Sequence, residues 1–162
     1  ADGSSNVTSS KNVLGSATPL AGDFGISQNP ESFAADSDTV YFTDRQRNAV
    51  VSITGGSAMP ISDFGMKDYF TDTYKLFFER YRFIGSFDDK KEEYNLTLSM
   101  YDTSKPQNQF VRTPITLSYS PSSKGWVSFK SFIPEGGISI NNEYYTFYDG
   151  DLWKHHKTED PI

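Results

Sequence analysis

Apolar and polar residues alternate along several stretches of this chain. The clearest run is 94–100, where Tyr94, Leu96, Leu98 and Met100 interleave with Asn95, Thr97 and Ser99. Successive side chains of a strand point to opposite faces, so this pattern predicts a strand with one apolar and one polar side. Ile115, Leu117 and Tyr119 alternate with Thr116 and Ser118 in the same way. Strands are also expected over 82–87 and 126–132, which completes a four-strand meander. Upstream, 39–43 and 49–53 flank Asp44-Arg45-Gln46-Arg47-Asn48 and read as a hairpin with a five-residue polar loop, closed off by Gly55-Gly56-Ser57. Downstream, 144–148 and 152–156 flank Asp149-Gly150-Asp151. Asp-Gly favours a tight turn, because glycine takes positive φ without strain.

One segment has a different period. Met66, Phe70, Tyr74, Phe77 and Tyr81 recur at spacings of three and four and line one face of a helix predicted over 66–80, about 15 residues long. Ser62 or Asp63 is placed to cap its N-terminus. Asp68 and Asp72 fall early, while Lys75 and Arg80 fall late, which suits the helix dipole. The aromatic stripe reads as packing surface.

The expected grouping is a strand pair, a four-strand meander and a second strand pair. This makes the fold mainly β, built from antiparallel meanders that resemble propeller blades, with a β-sandwich as the alternative. Val40-Tyr41-Phe42-Thr43-Asp44 and Tyr145-Thr146-Phe147-Tyr148-Asp149 form a short internal echo, each an aromatic strand ending at an Asp. Residues 1–24 are rich in Ser, Gly, Asn and Ala and read as a flexible arm or linker, leaving 25–162 as the β-rich domain. With no initiator Met and an abrupt Asp160-Pro161-Ile162 end, the chain reads as a fragment of a larger protein.

Composition narrows the function. Ten Tyr, thirteen Phe and two Trp raise the aromatic share to 15% against 36% hydrophobic residues overall, so a few large rings must build the core. The net charge of −6 disfavours phosphate neutralisation, and nucleic acid is not an expected partner. The lack of cysteine excludes disulfides, thiolate zinc sites and a cysteine nucleophile. No apolar run approaches the roughly 20 residues of a bilayer span, so membrane insertion is not expected.

Three stretches carry a resemblance. They are Asn29-Pro30-Glu31-Ser32-Phe33 followed by Tyr41 to Val50, then Ile61-Ser62-Asp63-Phe64-Gly65-Met66-Lys67-Asp68-Tyr69-Phe70, then Lys124-Gly125-Trp126-Val127-Ser128-Phe129-Lys130-Ser131-Phe132 with Asn141-Asn142-Glu143-Tyr144-Tyr145-Thr146-Phe147. Together they resemble large structural proteins of tailed bacteriophages, in particular the tail, "stabilisation" or muzzle proteins of marine cyanophages and crAss-like phages. The resemblance implies a long polypeptide with propeller-like β regions. It also implies a place in the virion tail, other tail proteins and further copies of itself as partners, and no catalytic motif.

Candidate chemistry is sparse. The carboxylate pairs Asp36/Asp38, Asp88-Asp89 and Glu92-Glu93 are expected in solvated loops, where neither carboxyl gains the raised pKa of a glycosidase acid. His155 and His156 are adjacent on an expected strand and point to opposite faces, so a shared metal ion is not expected, and a strand end exposed to water or a neighbour is. Asp149-Gly150-Asp151 and Asp36-Ser37-Asp38 lack the twelve-residue calcium pattern. The chain is therefore read as non-enzymatic and without cofactors. The residues singled out for packing or an interface are Trp126, Phe132, Tyr144, Tyr145, Phe147 and Trp153. Aromatics on both faces of one sheet imply either a thick internal core or a neighbouring subunit on the second face. The competing reading is a carbohydrate- or receptor-binding module presenting Trp126 or Trp153 to a host glycan, and a more remote one is a glycan depolymerase.

Overall fold

The computed structural model describes residues 19–20, 22–77, 81–100 and 114–157. They form three antiparallel sheets, each with its strands in sequential order. The first sheet is β1 (Ala34–Ala35), β2 (Thr39–Asp44), β3 (Ala49–Thr54) and β4 (Ser57–Pro60). The second is β5 (Tyr81–Asp88), β6 (Glu93–Met100), β7 (Ile115–Ser120) and β8 (Gly125–Lys130). The third is β9 (Gly136–Ile140), β10 (Glu143–Tyr148) and β11 (Asp151–Lys154), with β10 in the middle. The fold is mainly β and made of meanders, as the alternation implies. The expected two-four-two grouping is corrected to four, four and three. β1 has two residues, β4 ends in Met59-Pro60, and in β9 the alternation is confined to Ile138-Ser139-Ile140 behind Gly136-Gly137, too short in each case to mark a strand.

A single α-helix, α1 (Lys67–Phe77), spans 11 residues rather than about 15; residues 78–80 lie outside the described part. Phe70 is fully buried and Met66 packs against the same core, as the stripe requires. The side chains of Tyr74 and Phe77 lie outside the described part, and Tyr81 opens β5 rather than extending the helix. Ser62 and Asp63 do not cap it. They belong to a 3-10 turn (Ile61–Asp63), and Gly65, at φ +76°, redirects the chain before the helix starts.

The hairpins use two turn chemistries. Gly55-Gly56, Asn141-Asn142 and Asp149-Gly150 are two-residue turns with both residues at positive φ, the form that matches strand twist. Three longer turns, 45–48, 89–92 and 121–124, each close on a non-glycine residue at positive φ: Asn48, Glu92 and Lys124. In the first two, the preceding aspartate fastens the turn. Asp44 Oδ1 accepts from the amides of Gln46 (2.9 Å) and Arg47 (3.1 Å), and Asp88 Oδ1 accepts from Lys90 (3.1 Å) and Lys91 (3.2 Å). Asp44 is thus the counterpart of Asp88, not of Asp149.

The core lies between the first two sheets. Tyr41 of β2 stacks on Tyr94 of β6 at 4.9 Å and on Phe87 of β5 at 5.6 Å. Burial of each such ring contributes on the order of 2 kcal/mol. The opposite face of the first sheet, Phe42, Ala49 and Val51, is covered by Phe24 and Ile26, so Phe24, at the end of the expected arm, packs on the domain. Farther across the same face of the second sheet, β7 and β8 carry Tyr119 and Trp126. Trp126 lies 4.9 Å from Phe70, and its Nε1 donates to the Ile61 carbonyl at 3.1 Å.

The outer edge of β5 is closed by side chain and backbone together. The buried Asn29 carboxamide stands where a neighbouring strand would: Nδ2 donates to the Phe83 carbonyl (2.7 Å), and Oδ1 accepts from the Phe83 amide (3.3 Å). Two residues along, Gly85 leaves room for the Ser32 carbonyl, which accepts from the Tyr94 hydroxyl at 2.7 Å. Farther along, Ser139 of β9 donates to the Phe87 carbonyl at 2.9 Å and accepts from the Asp89 amide at 3.0 Å. That contact docks the third sheet against the second.

Candidate functional site

The third sheet concentrates the chain's unspent chemistry. Its inner face is anchored by Tyr144, fully buried, whose hydroxyl shares a 2.8 Å hydrogen bond with Ser86 Oγ. Burial pushes the Tyr144 hydroxyl up to about 12, with the Ser86 contact acting in the opposite direction. Gly137 makes this fit, because a Cβ there would lie 2.9 Å from the Ser86 Cβ and 3.0 Å from the Tyr144 hydroxyl.

His155 and His156 follow β11 and are half-buried, which corrects the expectation of an exposed strand end. His156 takes φ +57°, and its Nε2 reaches Asp88 Oδ2 at 2.5 Å. His155 Nε2 bonds Thr146 Oγ1 at 2.7 Å, and its ring lies 4.5 Å from Phe132 and 5.1 Å from Tyr144. Burial, and then the neighbouring His156, lower the His155 pKa, while Asp88 acts against them. The positive φ at His156 brings both rings beside Tyr144, 6.2 Å from each other, where the strand period had set them on opposite faces.

Asp88 likewise departs from the expected solvated loop. It is buried and held by two turn amides and His156. With those partners it has no free face to act as a base. Asp89 borders an open groove of about 400 Å³ between β1, β5 and β9. Its carboxyl is raised by burial and by the nearby Asp36 and Asp88. Glu93 is spent on Lys130 Nζ at 2.6 Å. Among the described residues no group of three or more His, Asp or Glu side chains is arranged to hold a metal ion.

Against the inner face of β10 and β11 opens a cleft of about 340 Å³, lined by Phe132, Pro134, Thr146, Tyr148, Trp153 and His155. Trp153 is 55% exposed here. The outer face has no cover among the described residues: Ile138, Ile140, Phe147 and Leu152 are all exposed, and Tyr145 beside them lies 5.9 Å from the Lys154 ammonium.

The six aromatics chosen from the sequence therefore divide. Trp126 and Tyr144 are internal packing. Phe132 and Trp153 meet at the cleft. Tyr145 and Phe147 belong to the uncovered face. Both faces of the sheet carry aromatics, but among the described residues only one is covered. Reasoning from sequence did not find Ile138 and Ile140, whose strand is hidden behind two glycines, and it set His155 and Asp88 at exposed positions because the partners that cover them come from elsewhere in the chain. Compared with known proteins, the chain matches no family model and no curated protein closely enough to count as a relative.

Proposed function

We propose that this chain is a non-enzymatic structural module of a tailed-phage virion, in the tail, muzzle or baseplate region, where its sheets hold neighbouring subunits together. The observation that carries the reading is the third sheet, a three-strand meander whose outer face and outer strand display Ile138, Ile140, Phe147 and Leu152 to solvent. Contiguous exposed apolar surface of this kind marks a protein interaction site. The resemblance to phage tail proteins supports the setting, and its three stretches supply packing rather than chemistry: Asn29 closes β5, Ile61 receives Trp126, and Tyr144 anchors the third sheet. Propeller-like closure, with each meander as a blade, and self-association in a ring belong to the same proposal. Mass spectrometry of purified virions tests it: peptides of this chain are expected within a tail protein, and their absence from every assembled particle overturns it.

The exposed Trp153 above a cleft with His155 and Thr146 favours a second reading, a receptor-binding module for a host glycan, since an open aromatic face beside polar groups suits a sugar ring. A glycan array probed with the chain and with Trp153→Ala decides it. Reproducible binding lost in the variant supports it, and an array without hits removes it.

A further inference from the structure

The register of β11 fixes which of its backbone groups are free. In a hairpin with a two-residue turn, the residues flanking the turn exchange hydrogen bonds, and so does every second pair after them. Here those pairs are Tyr148 with Asp151 and Thr146 with Trp153, and the His155 amide continues the ladder by donating to the Tyr144 carbonyl at 2.9 Å. Leu152 and Lys154 therefore turn their N–H and C=O groups outward. Among the described residues no strand pairs with that side, and all four residues of β11 are exposed. The strand has no proline and no bulge, two of the usual protections of an open edge. Its two central residues are Leu152 and Trp153, 59% and 55% exposed.

We propose that β11 pairs with β11 of a second copy of the chain about a two-fold axis, joining two third sheets into one continuous six-strand sheet. The two-fold axis restricts the register. Opposed residues must lie on one face, and outward backbone groups must meet outward groups. Leu152 opposite Lys154 of the second copy meets both conditions and forms about four backbone hydrogen bonds over the two symmetric pairs. In that register Trp153 stands opposite its own counterpart on the axis. Asp151 stands beside this aromatic centre, on the same face as the tryptophans. Two other outward registers exist: Leu152 opposite itself would place Asp151 against Trp153, and Lys154 opposite itself would set two ammonium groups against each other. Backbone pairing selects the first: it sets two hydrogen-bonded pairs within β11, where each self-opposed register sets one. The pairing deepens the assembly reading by giving its self-association a named surface.

Sedimentation of the full chain tests it, with a dimer expected at micromolar concentration. Leu152→Pro removes an N–H that faces the second copy and none that faces β10, so it should weaken the dimer at least about tenfold while the β signal in circular dichroism persists. Because the chain has no cysteine, Trp153→Cys reports the register directly: opposed residues of a non-hydrogen-bonded pair are close enough to cross-link, so oxidation should give a covalent dimer. Leu152→Cys, whose counterpart stands opposite Lys154, should not cross-link. A chain that stays monomeric to about 100 µM, or equal cross-linking by both cysteine variants, overturns the pairing. A monomeric chain found in virions refutes the pairing alone, and a dimer absent from virions refutes the structural role alone.

Discussion

Replacing Gly85 with alanine would put a Cβ 1.9 Å from the Ser32 carbonyl oxygen and 2.5 Å from its carbon. Those separations fall short of contact by more than about 1 Å, and the obstacle is backbone, which no rotamer change can clear. Relief requires the 3-10 turn (Pro30–Ser32) to lift away from β5. The displacement strains four buried hydrogen bonds: Tyr94 to the Ser32 carbonyl, the Thr43 amide to Ser32 Oγ, and the two bonds between the Asn29 carboxamide and Phe83. At about 1 kcal/mol net for each, the loss comes to about 4 kcal/mol, a large part of the 5–15 kcal/mol that stabilises a typical domain. Urea unfolding followed by tryptophan fluorescence measures it, with Gly125→Ala as the control. At that position the nearest atom to an added Cβ is 3.8 Å away, and less than about 1 kcal/mol should be lost. A Gly85→Ala protein within about 1 kcal/mol of the parent would refute the account of how the β5 edge is closed.

Asn29→Ala removes the hydrogen bonds that the carboxamide makes to the buried Phe83 amide and carbonyl and should cost about 2–4 kcal/mol in the same unfolding assay. The Tyr144 and Tyr41 hydroxyls are both pushed up to about 12 by burial, from an ordinary value of 10.0. The folded state disfavours the tyrosinate, so this stabilisation is intact below pH 10 and is lost as pH rises toward 12, by up to about 1.4 kcal/mol per pH unit for each ring. Thermal melts across that range should show the slope, and Tyr144→Phe should lower it by about half. His155 has the opposite sense: its pKa is depressed from 6.5, so the folded state favours the neutral ring, and stability should fall as pH drops below 6.5. His155→Asn should flatten that acid limb in melts at successive pH values.

Much of the architecture was legible where a strand carries its own alternation. Tyr94, Leu96 and Leu98 are buried in the core, and Leu117 and Tyr119 face the same way. The turns at Gly55-Gly56 and Asp149-Gly150 were equally plain, because positive φ leaves a signature in residue type. What escaped notice depends on partners remote in sequence. Gly137 looks like a loop residue until Ser86 and Tyr144 are placed against it. The aspartates at 88 and 149 both introduce turns, yet only Asp88 is buried, because His156 arrives 68 residues later to meet it. Ser62 and Asp63 have the chemistry of helix caps, but Gly65 bends the chain before that role can be filled. At the candidate site, Trp153 was legible as an aromatic out of place. Ile138 and Ile140 gain their meaning only from pairing with β10.

The two ends of the sheet system are treated differently, and that contrast bears on function. At β5 the fold commits a buried carboxamide, a bare glycine and a serine clamp to satisfy one strand edge. At β11, within the described residues, it commits nothing, although the exposed Leu152 and Trp153 make that edge the more prone to association. Four carboxylates follow the same division of labour: Asp44 and Asp88 fasten turns, while Glu93 and Glu143 pair with Lys130 and Lys154. The glycan-depolymerase alternative needs a raised acid and a free second carboxylate facing one groove. Here Asp89 is raised, but its neighbour Asp88 is already bound by backbone amides and a histidine. Polar groups spent on rigidity, with apolar surface left open at one edge among the described residues, support the proposal of a part that works by contact with its neighbours.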